Sequence, residues 1–292
     1  MINALLSNRK MQGMMKLIFM VAASFSIIAI FLICIFLLVN GIPALKEIGI
    51  FNFILGTQWR PSDIPPQFGI FPMLLGSIYV TSYALLFATP LGIGAAIYIA
   101  FYAKDTHKKY FETLISLMAG IPSVVYGFFG MVVIVPMIRN INGNGNSILS
   151  ASILLAMMIL PTIITMSLNA LNSVDEVMYD NAIALGVSHE YSIRKVMILS
   201  AKSGIVASII LGMGRAIGET MAVIMVVGNQ AIIRLPFDLF KGVRTLTGNI
   251  VIEMGYAAGL HRDALIATGL VLFIIIIFVN AIISIIVKKE AI

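Results

Sequence analysis

The sequence predicts an all-α integral membrane protein with six transmembrane helices, and three observations carry that prediction. Of its residues 60% are hydrophobic and only 11% charged, with a mean hydropathy of +1.04, outside the range of soluble domains. The long apolar runs reach about 20 residues or more, enough for a hydrocarbon core of roughly 30 Å. No ten-residue alternating pattern of a barrel is present, so the backbone must satisfy itself within helices. The formal charge of +6 is small and sits beside apolar runs, which marks topology and not nucleic-acid binding. The single cysteine, Cys34, lies inside an apolar run and predicts neither an internal disulfide nor a metal site.

Residues 1–70 are expected to hold the first span and an outer loop. Arg9, Lys10 and Lys16 precede the apolar run 17–39, and no small-x-small cleavage site follows it. This predicts an uncleaved span whose basic flank stays in the cytoplasm. Residues 40–69 carry Pro43, Pro61, Pro65, Pro66 and Trp59, which predicts an extracytoplasmic loop with Trp59 as a headgroup anchor.

Residues 71–287 form the expected core. The second span, 71–103, contains Pro90, Gly92 and Gly94, and a kink is expected there. Lys104 to Tyr110 reads as a short basic cytoplasmic turn. The third span is placed at 112–138, the glycine- and asparagine-rich stretch 139–146 is a loop, and the fourth span, 148–170, holds Pro161.

Between 172 and 203 the charges gather in a cytoplasmic hairpin. Ser173 and Glu176 fit a capping box, and Val174, Val177, Met178, Ala182 and Leu185 form an apolar stripe. Gly186 is placed to end that helix and Ser188 to cap the next. Connections in bundles usually take about 2 to 8 residues, so a segment of this length predicts a docking element. After the fifth span, 231–262 reads as a polar outer loop with Pro236, in which His261 has no partners at metal spacing. The last span is 263–287, and 288–292 form a short tail with Lys288 and Lys289 in the cytoplasm, on the same side as the amino terminus.

The fifth span, 204–229, is where function is expected, because it carries Arg215 and Glu219 near its middle. Inserting two such charges costs about 5 to 7 kcal/mol. On one helix the i, i+4 spacing would pair them and recover about 4 kcal/mol at an effective dielectric near 20. The deficit predicts that Arg215 and Glu219 face a bundle interior or a watered path. Gly204, Ser208, Gly212, Ala216 and Thr220 form one small-residue row and Gly214, Gly218 and Ala222 a second, which predicts close helix packing. The bland alternative is a charge pair that only clips two helices together.

The hairpin resembles the EAA loop of bacterial ABC importer permeases, whose pattern is EAA, three residues, G, then eleven residues to a terminal LP. Asp180, Asn181, Ala182, Gly186, Ile198 and Leu199 fall at those positions, with Asp for Glu, Asn for Ala and Ile-Leu for Leu-Pro. GIPSVVYG in the third span, LPTIITMSLNAL at 160–171, GRAIGETMAV at 214–223 and TLTGNIVIEMGYAAGLHRDAL from Thr245 are similar to the phosphate-specific importer permeases of the PstC type. The resemblance implies a MetI-like type-1 permease bundle that forms half of a phosphate pathway in a bacterial cytoplasmic membrane. It further implies a homologous PstA-type permease, two PstB-type ATP-binding subunits and an external PstS-type phosphate-binding protein. Arg215, Glu219 and Thr220 would then line the pathway, and Asp180, Ala182 and Gly186 would couple to the ATPase. ATP would be bound by the partners, since no GxxxxGK[ST] loop is present and this chain carries no cofactor of its own.

Three other functional classes remain open from the sequence. A permease for another oxyanion or solute would share these motifs. A secondary transporter would also place Arg and Glu in a span, and it would work without ATPase subunits. A membrane enzyme would need a His, Cys or carboxylate cluster at catalytic or metal spacing, and none is found, so no catalytic residue is expected.

Overall fold

The computed structural model describes residues 9–290 of the chain. Residues 1–8 of the basic flank and 291–292 of the tail lie outside the described residues, as do the side chains of Arg9, Lys10, Lys288 and Lys289. Helices dominate in this order: α1 (Arg9–Ile48), α2 (Ile50–Leu55), α3 (Phe71–Phe101), α4 (Asp105–Gly120), α5 (Ser123–Phe129), α6 (Val135–Asn142) and α7 (Ile148–Asn172). The hairpin region holds α8 (Glu176–Ala184), α9 (His189–Ser192) and α10 (Ile198–Ser200). It is followed by α11 (Lys202–Gly218), α12 (Met221–Val226), α13 (Leu246–Glu253) and α14 (Leu260–Glu290). Five helices are long and apolar enough to cross a bilayer, or up to six if the pair His189–Ser200 and Lys202–Gly218, bent by 66°, is one span.

The core is built on α7, the most buried span, which packs along α3. Ile163 explains how closely the neighbours approach: a Cβ added to Gly92 on α3 would lie 2.7 Å from its Cγ2, and one added to Gly212 on α11 would lie 2.9 Å from its Cγ1. Two glycines therefore make the groove that one isoleucine fills. Ser167 and Ser208 clip α7 to α11 by an Oγ–Oγ hydrogen bond of 2.8 Å. We expect Gly212→Val to lower the melting temperature of the purified protein, because overpacking a dense core costs about 1–3 kcal/mol. Ile163→Ala in the same chain should restore part of the loss, while an unchanged melting temperature for Gly212→Val would show the groove to be slack.

The peripheral α1 lies along α14, where a Cβ on Gly41 would come within 3.1 Å of Leu270 Cδ2. Ala44 is buried in the core near the end of α1, while most of the apolar side chains between Met14 and Val39 are exposed, as befits a helix whose solvent is lipid. Three sequence expectations need correcting. The third span does not start at 112: α4 is an amphipathic helix that ends at Gly120, and the apolar crossing runs Ser123–Asn142 with a π-helical turn at Gly130–Ile134. Pro122 separates the two, since residue 121 is held extended before it. Trp59 is not a headgroup anchor. It is buried in a two-stranded hairpin, β1 (Trp59–Arg60) and β2 (Gln67–Phe68), with its Nε1 bonded to Glu253. The outer loop 231–262 contains α13, capped by the Thr245 hydroxyl, which accepts from Gly248 N.

Candidate functional site

The fifth span is broken where its charges lie. Gly218 ends α11, Glu219 is extended at φ −72 and ψ 126, and the chain restarts as α12 at Met221. The break turns Glu219 off the face that Arg215 occupies, so the expected i, i+4 pair is absent: among the described residues no ion pair joins them. Glu219 instead serves the new helix, its Oε1 accepting from Ala222 N at 3.2 Å, where a carboxylate also meets the positive end of the helix dipole. Thr220 turns inward on the chain, its hydroxyl donating to the Gly218 carbonyl at 3.3 Å.

Arg215 is exposed on this chain and donates from Nη1 to Thr162 Oγ1 on α7 at 3.0 Å, its one hydrogen-bond partner among the described residues. Most of the five N–H groups of the fork remain available. Around it lies a face that this chain leaves uncovered: Thr165, Met166 and Asn169 continue the Thr162 side of α7, and Leu211 and Gly218 continue the Arg215 side of α11. Threonine, asparagine and arginine at i, i+3 and i+4 spacing suit water or a partner subunit and not lipid tails. Gly214 and Gly218 of the expected packing row meet no helix of this chain, since a Cβ on either finds nothing within 4 Å. Gly212, by contrast, faces Ile163. Under the expected role of this face, Thr162→Val should slow uptake by about tenfold without stopping it, since a hydrogen bond from a charged donor is worth about 1.5–3 kcal/mol and exposure places this one at the low end. Steady-state uptake rates would show it, and unchanged rates would free Arg215 of any need for Thr162.

At the end of the bundle near α8, the segment 172–203 folds as helix, glycine turn, helix. Asp175, and not Ser173, caps α8 by accepting from Val177 N at 3.0 Å, which corrects the expected capping box. Ser173 instead closes α7, donating its hydroxyl to the Ala170 carbonyl at 2.8 Å. Gly186 turns the chain at φ +81, and Ser188 caps α9. Asp180 and Gly186 are exposed and Ala182 is buried, whereas Val177, Met178 and Leu185 of the expected stripe lie open. The second helix ends at Ala201 without a proline, in the 66° bend that leads into α11.

Two groups escaped the sequence. Tyr179 Oη and His189 Nδ1 meet at 2.6 Å beside a cavity of about 530 Å³ that Asp180, Glu176 and Lys108 also line. Glu253 is buried with Trp59, Arg244 and His261 about it. The signal for Glu253 was a lone carboxylate inside the apolar run IVIEMG, where a surface loop would not place one.

A helical membrane bundle with a polar, unfinished face and an exposed hairpin at one end defines a subunit of a multi-pass transporter. The chain belongs to the family of binding-protein-dependent transport system inner membrane components, whose model matches residues 88–290. It is therefore an ABC importer permease of the inner membrane. It is 38% identical to a probable ABC transporter permease protein, YqgH, of Bacillus subtilis over 87% of this chain and 82% of that one. It is 31% identical to the phosphate transport system permease protein PstC of Haemophilus influenzae over 83% of this chain and 82% of that one. Among solved structures, a bacterial alginate ABC transporter in complex with its periplasmic protein matches with a TM-score of 0.62 at 15% identity, covering 96% of this chain and 99% of that one, a likeness of fold alone.

Proposed function

We propose that this chain is one of two membrane subunits of an ATP-driven importer that moves inorganic phosphate into the cytoplasm. The observation that carries the proposal is the uncovered α7–α11 face, in which a guanidinium held by one threonine stands near two glycines, Gly214 and Gly218, where an added Cβ meets nothing within 4 Å. A PstA-type permease would cover that face and turn it into a path. Phosphate, with one to two negative charges, meets there a planar, permanently charged fork that matches its oxygens. Because Glu219 is occupied with α12, the anion does not have to displace an internal carboxylate. One arginine alone also binds loosely enough to let go.

The segment 172–203, with Asp180, Ala182 and Gly186, would face the cytoplasm together with both termini and dock on PstB-type subunits that bind and hydrolyse ATP. Their closure would swing the hairpin and, through the bend at Ala201, rock α11. A PstS-type protein would deliver phosphate at the opposite end. The similarity to PstC supports phosphate over other solutes.

Co-purification tests this reading. The chain should carry down a second permease and an ATPase, and the assembly should hydrolyse ATP faster with phosphate-loaded binding protein than with the empty protein. Uptake by the purified chain alone in liposomes without ATP would instead make it a secondary transporter. An assembly stimulated only by another loaded oxyanion would make it that anion's importer.

A further inference from the structure

At the end of the bundle away from the hairpin, Glu253 is 5% exposed yet held by three donors. Its Oε1 accepts from Arg244 Nη1 at 2.6 Å, and its Oε2 from Trp59 Nε1 at 2.7 Å and His261 Nε2 at 2.9 Å. The carboxylate can only accept, so Nε2 of His261 carries the proton in that contact. These partners come from three separate stretches: the β1–β2 hairpin, the loop ahead of α13 and the first turn of α14. A buried carboxylate persists only when donors compensate its lost hydration, and here three donors occupy three of its four lone-pair sites.

Arg244 carries the connection inward. Its Nε donates to the Asn229 carbonyl at 3.0 Å and its Nη1 also to Asn249 Oδ1 at 3.0 Å. The next residues are pinned as well: Leu246 N donates to Ser77 Oγ at 2.9 Å, and a Cβ on Gly76 would collide with the Arg244 carbonyl. Thr247 Oγ1 then donates to the carbonyl of Glu219 at 3.4 Å, at the break that follows Arg215. A continuous series of contacts thus runs from the β1–β2 hairpin through Glu253 to the broken span. Nothing in the transport step described above uses it.

We infer that Glu253 is a positioning residue that holds 244–247 against the break at Glu219 and so fixes the geometry of the face Arg215 presents. The inference rests on that face being the transport path. Its action is indirect, through Arg244 and Thr247, and it touches no substrate.

Cys34 is the chain's single cysteine, so a Cys34→Ser background lets one reporter be placed at Gly218, where an added side chain meets nothing within 4 Å. In the assembled complex, Glu253→Gln should change the rate at which Gly218→Cys reacts with a water-soluble maleimide by about fivefold to tenfold, the scale of one loosened hydrogen bond. In the chain with native Gly218, Glu253→Gln should lower kcat for phosphate uptake by a similar factor and leave KM for the phosphate-loaded binding protein unchanged. Trp59→Phe removes one donor only and should shift both readouts the same way, by less. A purely structural staple would reduce the amount of complex and leave labelling and per-complex kcat at their original values, and that result overturns the inference. Should Glu253→Gln fail to assemble, Trp59→Phe decides alone by the same two readouts. Labelling needs no substrate, so its outcome is separable from whether phosphate is the cargo.

Discussion

If the proposed path is right, Arg215→Ala is expected to stop phosphate uptake while the permease still reaches the membrane and assembles. Assembly survives because the side chain is exposed and gives up a single hydrogen bond, to Thr162. Transport should not survive, because hydrogen bonds to charged groups are worth about 1.5–3 kcal/mol each, and an anion on the proposed path would lose two from the fork at once. Each 1.36 kcal/mol is a factor of ten, so a loss of about 100-fold or more is expected in the uptake rate. Arg215→Lys keeps the charge without the planar fork and should fall between the two. Glu219→Ala should be milder than a broken charge pair would make it, since what it removes is a helix cap worth about 1 kcal/mol. Normal uptake in a well-assembled Arg215→Ala complex would reduce the arginine to a surface feature.

If the hairpin is the proposed coupling element, Gly186→Val is expected to separate ATP hydrolysis from transport. The residue sits at φ +81 with open space around it, so an added side chain meets no neighbour and the effect comes from the backbone alone. A β-branched residue held at positive φ costs of order 1–3 kcal/mol, comparable with what an exposed two-helix hairpin can lose before its turn reorganises. The turn would relax and move α8 relative to α9. We expect loss of ATPase pull-down or of ATP-dependent uptake, with the membrane bundle still folded. Gly186→Asn is the control, because asparagine tolerates the left-handed region, and it should keep most of the coupling. If valine were as well tolerated as asparagine, the turn would not be the coupling element.

The spans were legible because hydrophobic length is a property of composition. The hairpin turn was legible because Gly186 and Ser188 act locally. The break at Glu219 was hidden for a physical reason. GRAIGETMAV has apolar residues and glycines at helical spacing, and only the packing of α12 against α5, where a Cβ on Gly127 would lie 2.9 Å from Ala222 Cα, shows why the chain turns there. Arg215 could therefore be singled out from sequence, while its partner could not. Trp59 and Glu253 show the same limit from the other side. They lie 194 residues apart in sequence yet share a hydrogen bond, and neither residue alone points to the other. Gly214 and Gly218 form a packing row by spacing, but whether such a row meets a helix of its own chain or of a partner depends on assembly.

Water access to the Arg215 face is the most direct test of the account. In a Cys34→Ser chain, Gly214→Cys should react with a membrane-impermeant thiol reagent in the assembled importer, and phosphate-loaded binding protein with ATP should change that rate. Phe25→Cys, on the lipid-exposed side of α1, serves as the unreactive control. A Gly214→Cys as inert as Phe25→Cys under every condition would place Arg215 against lipid or a dry interface and contradict the proposed path.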